Sequence, residues 1–108
     1  GREVKLMLLA YQDNTLYLRV NNESIYIMTN FRNGVTAGKF YFTGDNKSEN
    51  ILVAGHATSQ LGLFGGTTSF ADGDTIEVID NGGGNYTITY RVDINGDKIT
   101  ATYTGGLE

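Results

Sequence analysis

The stretch Tyr86-Thr-Ile-Thr-Tyr-Arg-Val-Asp-Ile-Asn95-Gly96-Asp-Lys-Ile-Thr-Ala-Thr-Tyr-Thr104 decides the class of the fold. Successive side chains of a strand point to opposite faces, so a period of two marks a half-buried strand. Tyr86, Ile88, Tyr90 and Val92 fall on one face, and Thr87, Thr89, Arg91 and Asp93 on the other. Ile99, Ala101 and Tyr103 repeat the alternation after the turn. Asn95-Gly96 between the runs tolerates the positive φ that a tight hairpin turn demands. Residues 86–104 are therefore predicted to form a β-hairpin.

The same grammar runs outward from that hairpin. Strands are predicted over Val4–Tyr11, Thr15–Val20, Ser24–Thr29, Lys39–Thr43, Asn50–Ala54, Leu61–Phe64 and Thr75–Ile79. Turn residues stand between them, at Asp13-Asn14, Asn21-Asn22-Glu23, Arg32-Asn33-Gly34, Gly44-Asp45-Asn46, Ala71 to Asp74 and Asn81 to Gly84. No stretch holds an apolar stripe at helical spacing. About eight or nine short strands without a helix predict an all-β fold, an antiparallel two-sheet sandwich, with a small closed barrel as the alternative.

The chain has 108 residues, the usual size of one domain, and shows no internal repeat or linker, so residues 1–108 read as a single domain. There is no cysteine, proline or tryptophan. Disulfides, thiolate metal sites and cysteine nucleophiles are thereby excluded. Eight basic and twelve acidic residues give a net charge of -4, which lacks the basic footprint that nucleic acid or an anionic membrane surface requires. The most apolar run, Leu6 to Ala10, is far short of the ~20 residues of a membrane-spanning helix. Strand pattern begins almost at Gly1, which reads as a mature segment whose export signal has been removed. Gly1 and Leu107-Glu108 carry no weight in the reading.

Candidate chemistry is sparse. Asp93 to Asp97 places oxygen ligands near one another, but its glycine is at the fourth position, not the sixth of a calcium loop, and hairpin turn is the expectation. Asp72 and Asp74, with Asp45, are the weak calcium candidates, and no other cofactor is expected. His56 is the sole histidine and reads as a strand-end residue, too few for a zinc site. Ser59 and Ser69 lack the glycine pattern of a nucleophile elbow. Glu23, Glu49 and Glu77 offer carboxylates for hydrolysis only if the fold pairs them. The glycines at 62, 65–66 and 82–84 precede no helix and form no phosphate loop.

Tyrosines are the more informative residues. If Leu16, Leu18 and Val20 face the core, Tyr17 faces out; Ile25 and Ile27 turn Tyr26 and Met28 outward; Phe40 and Phe42 do so for Tyr41. Tyr17, Tyr26 and Tyr41 are therefore the candidate ligand-binding residues, as outward aromatic rings suit both sugar rings and protein partners.

Thr75-Ile-Glu-Val-Ile-Asp80, Gly-Gly-Asn85-Tyr-Thr-Ile-Thr-Tyr90 and Asn95-Gly-Asp-Lys-Ile-Thr-Ala-Thr-Tyr-Thr-Gly105 together resemble a recurrent segment of Bacteroidetes surface lipoproteins. Ala37-Gly-Lys-Phe-Tyr-Phe42 is similar to a strand found upstream in such proteins. Ala101 stands where that pattern has glycine, and the lipobox cysteine is missing. Asp74-Thr75-Ile76 resembles the O-glycosylation pattern of the same phylum. The resemblance implies an extracytoplasmic, lipid-anchored setting at the cell surface or in the periplasm. The expected function is a noncatalytic surface domain that binds a glycan, or else a structural or adhesion domain that binds another surface protein. A small hydrolase is the third alternative.

Overall fold

The computed structural model describes residues 1–42 and 50–108. Thr43, the Gly44-Asp45-Asn46 turn and Glu49 lie outside the described residues. The described chain is all-β, with nine strands: β1 Arg2–Gln12, β2 Thr15–Val20, β3 Tyr26–Phe31, β4 Gly38–Tyr41, β5 Ile51–Ala57, β6 Thr68–Ser69, β7 Thr75–Gly82, β8 Asn85–Ile94 and β9 Asp97–Gly105. No helix among them is long and apolar enough to cross a membrane.

Turn chemistry sets the hairpins as the sequence predicts. Asp13 and Asn14 have φ of 52° and 63°, and Asn95 and Gly96 have 53° and 86°. Two successive positive φ values make the mirror-image turn whose twist matches that of the flanking strands. Asp93 Oδ1 accepts the Gly96 N–H at 2.8 Å, so this loop is a hairpin turn closed by its own carboxylate.

The strands join in one sheet, in the order β4-β7-β8-β9-β1-β2-β3-β5-β6. The long first strand explains why there is one sheet and not two. Arg2 to Lys5 pair with Ile99 to Thr102 of β9, whereas Leu6 onward pair with β2. The register slips between Leu8 and Ala10, a bulge that bends the strand. The sheet thus curls into a half-barrel whose two halves face each other across the core. The expected antiparallel pairing needs one correction, since β1 and β9 run parallel. These strands come from opposite ends of the chain, so no tight turn constrains their direction.

The inner faces carry the residues that the alternation selects. Leu16, Leu18, Val20, Ile27 and Phe31 from one half meet Ile76, Ile88, Tyr90, Val92 and Ala101 from the other, all buried. Burial of such side chains stabilises by roughly 1.5–3 kcal/mol each before the entropy cost is set against it. Phe42 and Phe70 close one side of the core, edge to face at 5.3 Å.

Two further expectations change. Leu61–Phe64 is a short 3-10 turn, not a strand. Ser59 Oγ accepts the Gly62 N–H at 3.1 Å, and the Leu63 N–H reaches Gln60 O at 3.2 Å. These local bonds compete with any ladder, and Gly62, Gly65 and Gly66 offer no side chains to a sheet. Thr68–Ser69, not predicted, forms the edge strand β6 against Gly55 and His56.

Candidate functional site

Tyr17 and Tyr26 lie on neighbouring strands and share the outer face of the β2–β3 pair. In the antiparallel register Tyr17 stands opposite Met28 and Arg19 opposite Tyr26. On the other side of β2, Met7 stands opposite Arg19. The Arg19 guanidinium lies over the Tyr26 ring, 5.4 Å from its centroid, while its Nε donates to Glu23 O at 2.9 Å. That cation–π contact holds a charged group over the Tyr26 ring on this face.

The 3-10 turn completes the surface. Leu63 is buried and anchors it, and a side chain at Gly62 would press on Ala57 Cβ at 3.0 Å. Pinned this way, the turn presents Phe64 beside Tyr17, with ring centroids 5.1 Å apart and planes tilted by 35°. Phe64 remains 70% exposed and Leu61 86%. Neither was singled out in the sequence, because the reading of residues 61–64 as a strand gave no reason for Phe64 to reach β2.

Tyr41 stands elsewhere. It is exposed on the edge strand β4, with Lys39 Nζ 5.5 Å from its ring centroid, and β7, β8, β9 and β1 separate it from β2. The three tyrosines therefore do not converge on one site.

Asp74 is a structural clamp. Buried at the end of its turn, it accepts the Ala71 N–H on Oδ2 at 2.9 Å and the Asp93 N–H on Oδ1 at 3.1 Å. Burial pushes its pKa above the usual aspartate value, against the pull of these two N–H groups. Asp72 is exposed nearby, and both border a shallow cleft of about 410 Å³ that Arg91, Asp93 and Lys98 also line. No cluster of three or more metal-ligating side chains occurs among the described residues. Thr75 is buried in β7, and its Oγ1 has no hydrogen-bond partner among the described residues. The hydroxyl of the Asp74-Thr75-Ile76 pattern is thus out of reach of a modifying enzyme in the folded chain.

Of the carboxylates considered for hydrolysis, Glu23 and Glu77 each lie against an arginine, and Glu49 is outside the described residues. Arg2 donates twice to Glu23, at 2.7 Å each, and holds that carboxyl below its usual pKa range. Glu77 lies 3.6 Å from Arg91 Nη1.

His56 is the penultimate residue of β5, so it stands near the strand end. It is buried and stacks on Phe70 with centroids 5.9 Å apart and planes 20° from parallel. Burial lowers its pKa, and the charge of Asp74 opposes that shift. A depressed folded-state pKa means that the unfolded chain takes the proton first as pH falls. Stability is therefore expected to be full above the ordinary histidine value, near 6.5, and to decline below it. The decline is limited to about 1.4 kcal/mol per pH unit for one proton. Asp74 acts in the other direction: its raised pKa favours the folded state as pH falls toward the ordinary aspartate value. Urea midpoints measured across this range should fall in the native chain and stay flatter in a His56→Phe variant.

Comparison of the chain with protein-family models, with curated proteins and with solved structures returns no match.

Proposed function

We propose that this chain is a noncatalytic binding domain of an extracytoplasmic surface protein, and that it holds a partner protein through the outer face of β2–β3 and the 3-10 turn. The observation that carries the reading is the exposure of Phe64 and Leu61 beside Tyr17, on a turn anchored by buried Leu63. Single exposed apolar side chains are ordinary on protein surfaces. Here Tyr17, Tyr26, Met7, Met28, Phe64 and Arg19 supply tyrosine, methionine, phenylalanine and arginine, the residue types enriched in interface cores. All but Phe64 stand on paired strands, whose fixed backbone reduces the ordering cost of association. In this reading the curled sheet serves as a sandwich-like two-layer support. The extracytoplasmic setting rests on the resemblance to Bacteroidetes surface lipoproteins.

The tilted Tyr17–Phe64 pair also favours a second reading, in which the two rings stack on a surface glycan. One paired experiment separates the possibilities. Immobilised native domain, a Phe64→Asp variant and a Tyr41→Asp control are exposed to the same surface-protein extract and to a glycan array. Phe64→Asp is expected to lose at least about tenfold in retention of a discrete protein, the effect of removing an interface anchor, and Tyr41→Asp to retain it. Its urea midpoint should stay within roughly 0.5 kcal/mol of the native chain, as for other surface substitutions. Array binding abolished by Phe64→Asp selects the glycan reading. Identical retention by all three proteins with a blank array refutes this face as a binding site.

A further inference from the structure

Three Asn-Gly steps occur in the chain, Asn33-Gly34, Asn81-Gly82 and Asn95-Gly96, and all three asparagines are exposed. Such steps lose their amide spontaneously. The glycine nitrogen attacks the asparagine Cγ, a new N–C bond forms, and ammonia leaves. Water then opens the succinimide to aspartate or isoaspartate. The nitrogen must give up its proton before it can attack, so the acceptor that holds that proton governs the rate.

The three steps differ at this atom. The Gly96 N–H donates to Asp93 Oδ1 and the Gly82 N–H to Asp80 Oδ1, each at 2.8 Å. The Gly34 N–H donates at 3.1 Å to a neutral acceptor, Phe31 O. Removing the proton from Gly82 or Gly96 sets an amide anion against a carboxylate, and like charges oppose that ionisation. Charge-assisted bonds of this kind are also about twice as strong as neutral ones. The backbone adds to the contrast. Strand pairs Ile94–Asp97 and Gly82–Asn85 close around the two guarded steps, and the Asn81 amide donates to Thr87 Oγ1 at 2.9 Å. Asn33-Gly34 lies between β3 and β4, outside any ladder, where the Asn50 side chain bonds the Asn33 N–H and the Gly34 carbonyl but leaves the Gly34 N–H to Phe31 O.

We propose that Asn33 is the site at which the folded chain deamidates, and that Asp80 and Asp93 guard Asn81 and Asn95. Conversion adds one negative charge beside Arg32. The isoaspartate product also lengthens the backbone next to the Asn33 N–H that Asn50 Oδ1 accepts at 3.1 Å.

The test is incubation of the full chain in mildly alkaline buffer, followed by peptide mapping with mass spectrometry at each step. Asn33 is expected to convert on the order of tenfold faster than Asn81 or Asn95 in the folded chain. In denaturant the three should convert at similar rates, since each is followed by glycine. Asp80→Ala and Asp93→Ala should each raise conversion at the step they guard by a similar factor, with a native circular dichroism spectrum. Asp80 is exposed, so its variant decides the matter even if the Asp93 variant fails to fold. Equal rates at all three steps in the folded chain, or an unchanged rate at Asn81 in Asp80→Ala, would overturn the proposal.

Discussion

Tyr90→Ala is expected to destabilise the domain by about 3–5 kcal/mol, the cost of deleting a large buried aromatic side chain. Tyr90 is fully buried, lies edge-on to Phe70 at 6.2 Å, and shares a 2.8 Å hydrogen bond with Thr29 Oγ1. Thr29 belongs to β3 and is itself 0% exposed, so this bond joins the two halves of the curled sheet inside the core. Tyr90→Phe keeps the ring and removes the hydroxyl. It leaves the Thr29 hydroxyl buried without that partner, at a cost of about 1–3 kcal/mol. Thr29→Val added to Tyr90→Phe removes both polar groups at once and should recover most of that loss. Urea unfolding of the native chain, Tyr90→Phe, Thr29→Val and the double variant forms a double-mutant cycle that measures the coupling, and strict additivity would show that the hydroxyl pair contributes nothing. Burial also pushes the Tyr90 phenol well above its usual range. A raised pKa means that the unfolded chain ionises first, so stability should fall as pH rises past the ordinary tyrosine value.

Asn50→Ala is the second large loss, expected at about 2–4 kcal/mol, because three part-buried bonds go together. Asn50 is 9% exposed and precedes β5. Its Oδ1 accepts the Asn33 N–H, and its Nδ2 donates to Gly34 O at 3.1 Å and Thr36 Oγ1 at 2.9 Å. One amide thus fastens the 32–37 connection that carries the chain from β3 to β4. Removing it strands a backbone N–H and a carbonyl in a part-buried site. Asn50→Asp tests the partition, since it keeps the acceptor for Asn33 but loses both donated bonds. Unfolding midpoints should rank native above both variants, and an Asn50→Ala midpoint equal to the native one would refute the clamp.

Much of the fold is legible in the sequence where local chemistry and the period of two agree. Asp13-Asn14 and Asn95-Gly96 adopt the positive φ that their types permit, and the strands on either side follow. Leu61–Phe64 has the apolar content of a strand but forms a 3-10 turn. There three glycines and a serine hydroxyl satisfy the backbone locally, and only Leu63 turns inward. The outward setting of Tyr17, Tyr26 and Tyr41 is likewise a matter of alternation, and the structure places them on outer faces as that alternation requires. Their distribution is not legible, because it depends on which strands become neighbours.

The sequence by itself determined the all-β class, the hairpins, the inward set of Leu, Ile, Val and Tyr90, and the absence of cysteine chemistry. These follow from backbone sterics at Asn and Gly and from side-chain alternation, which act over a few residues. Tertiary structure alone decided that β1 would pair with both β2 and β9, so that the sheet curls as one body. It alone brought Phe64 onto Tyr17, Thr29 onto Tyr90, and Asp74 onto the backbone of β8. Those contacts join residues far apart in the chain. They form because the curled sheet must close over its apolar face, and because each polar group buried in that closure must find a partner.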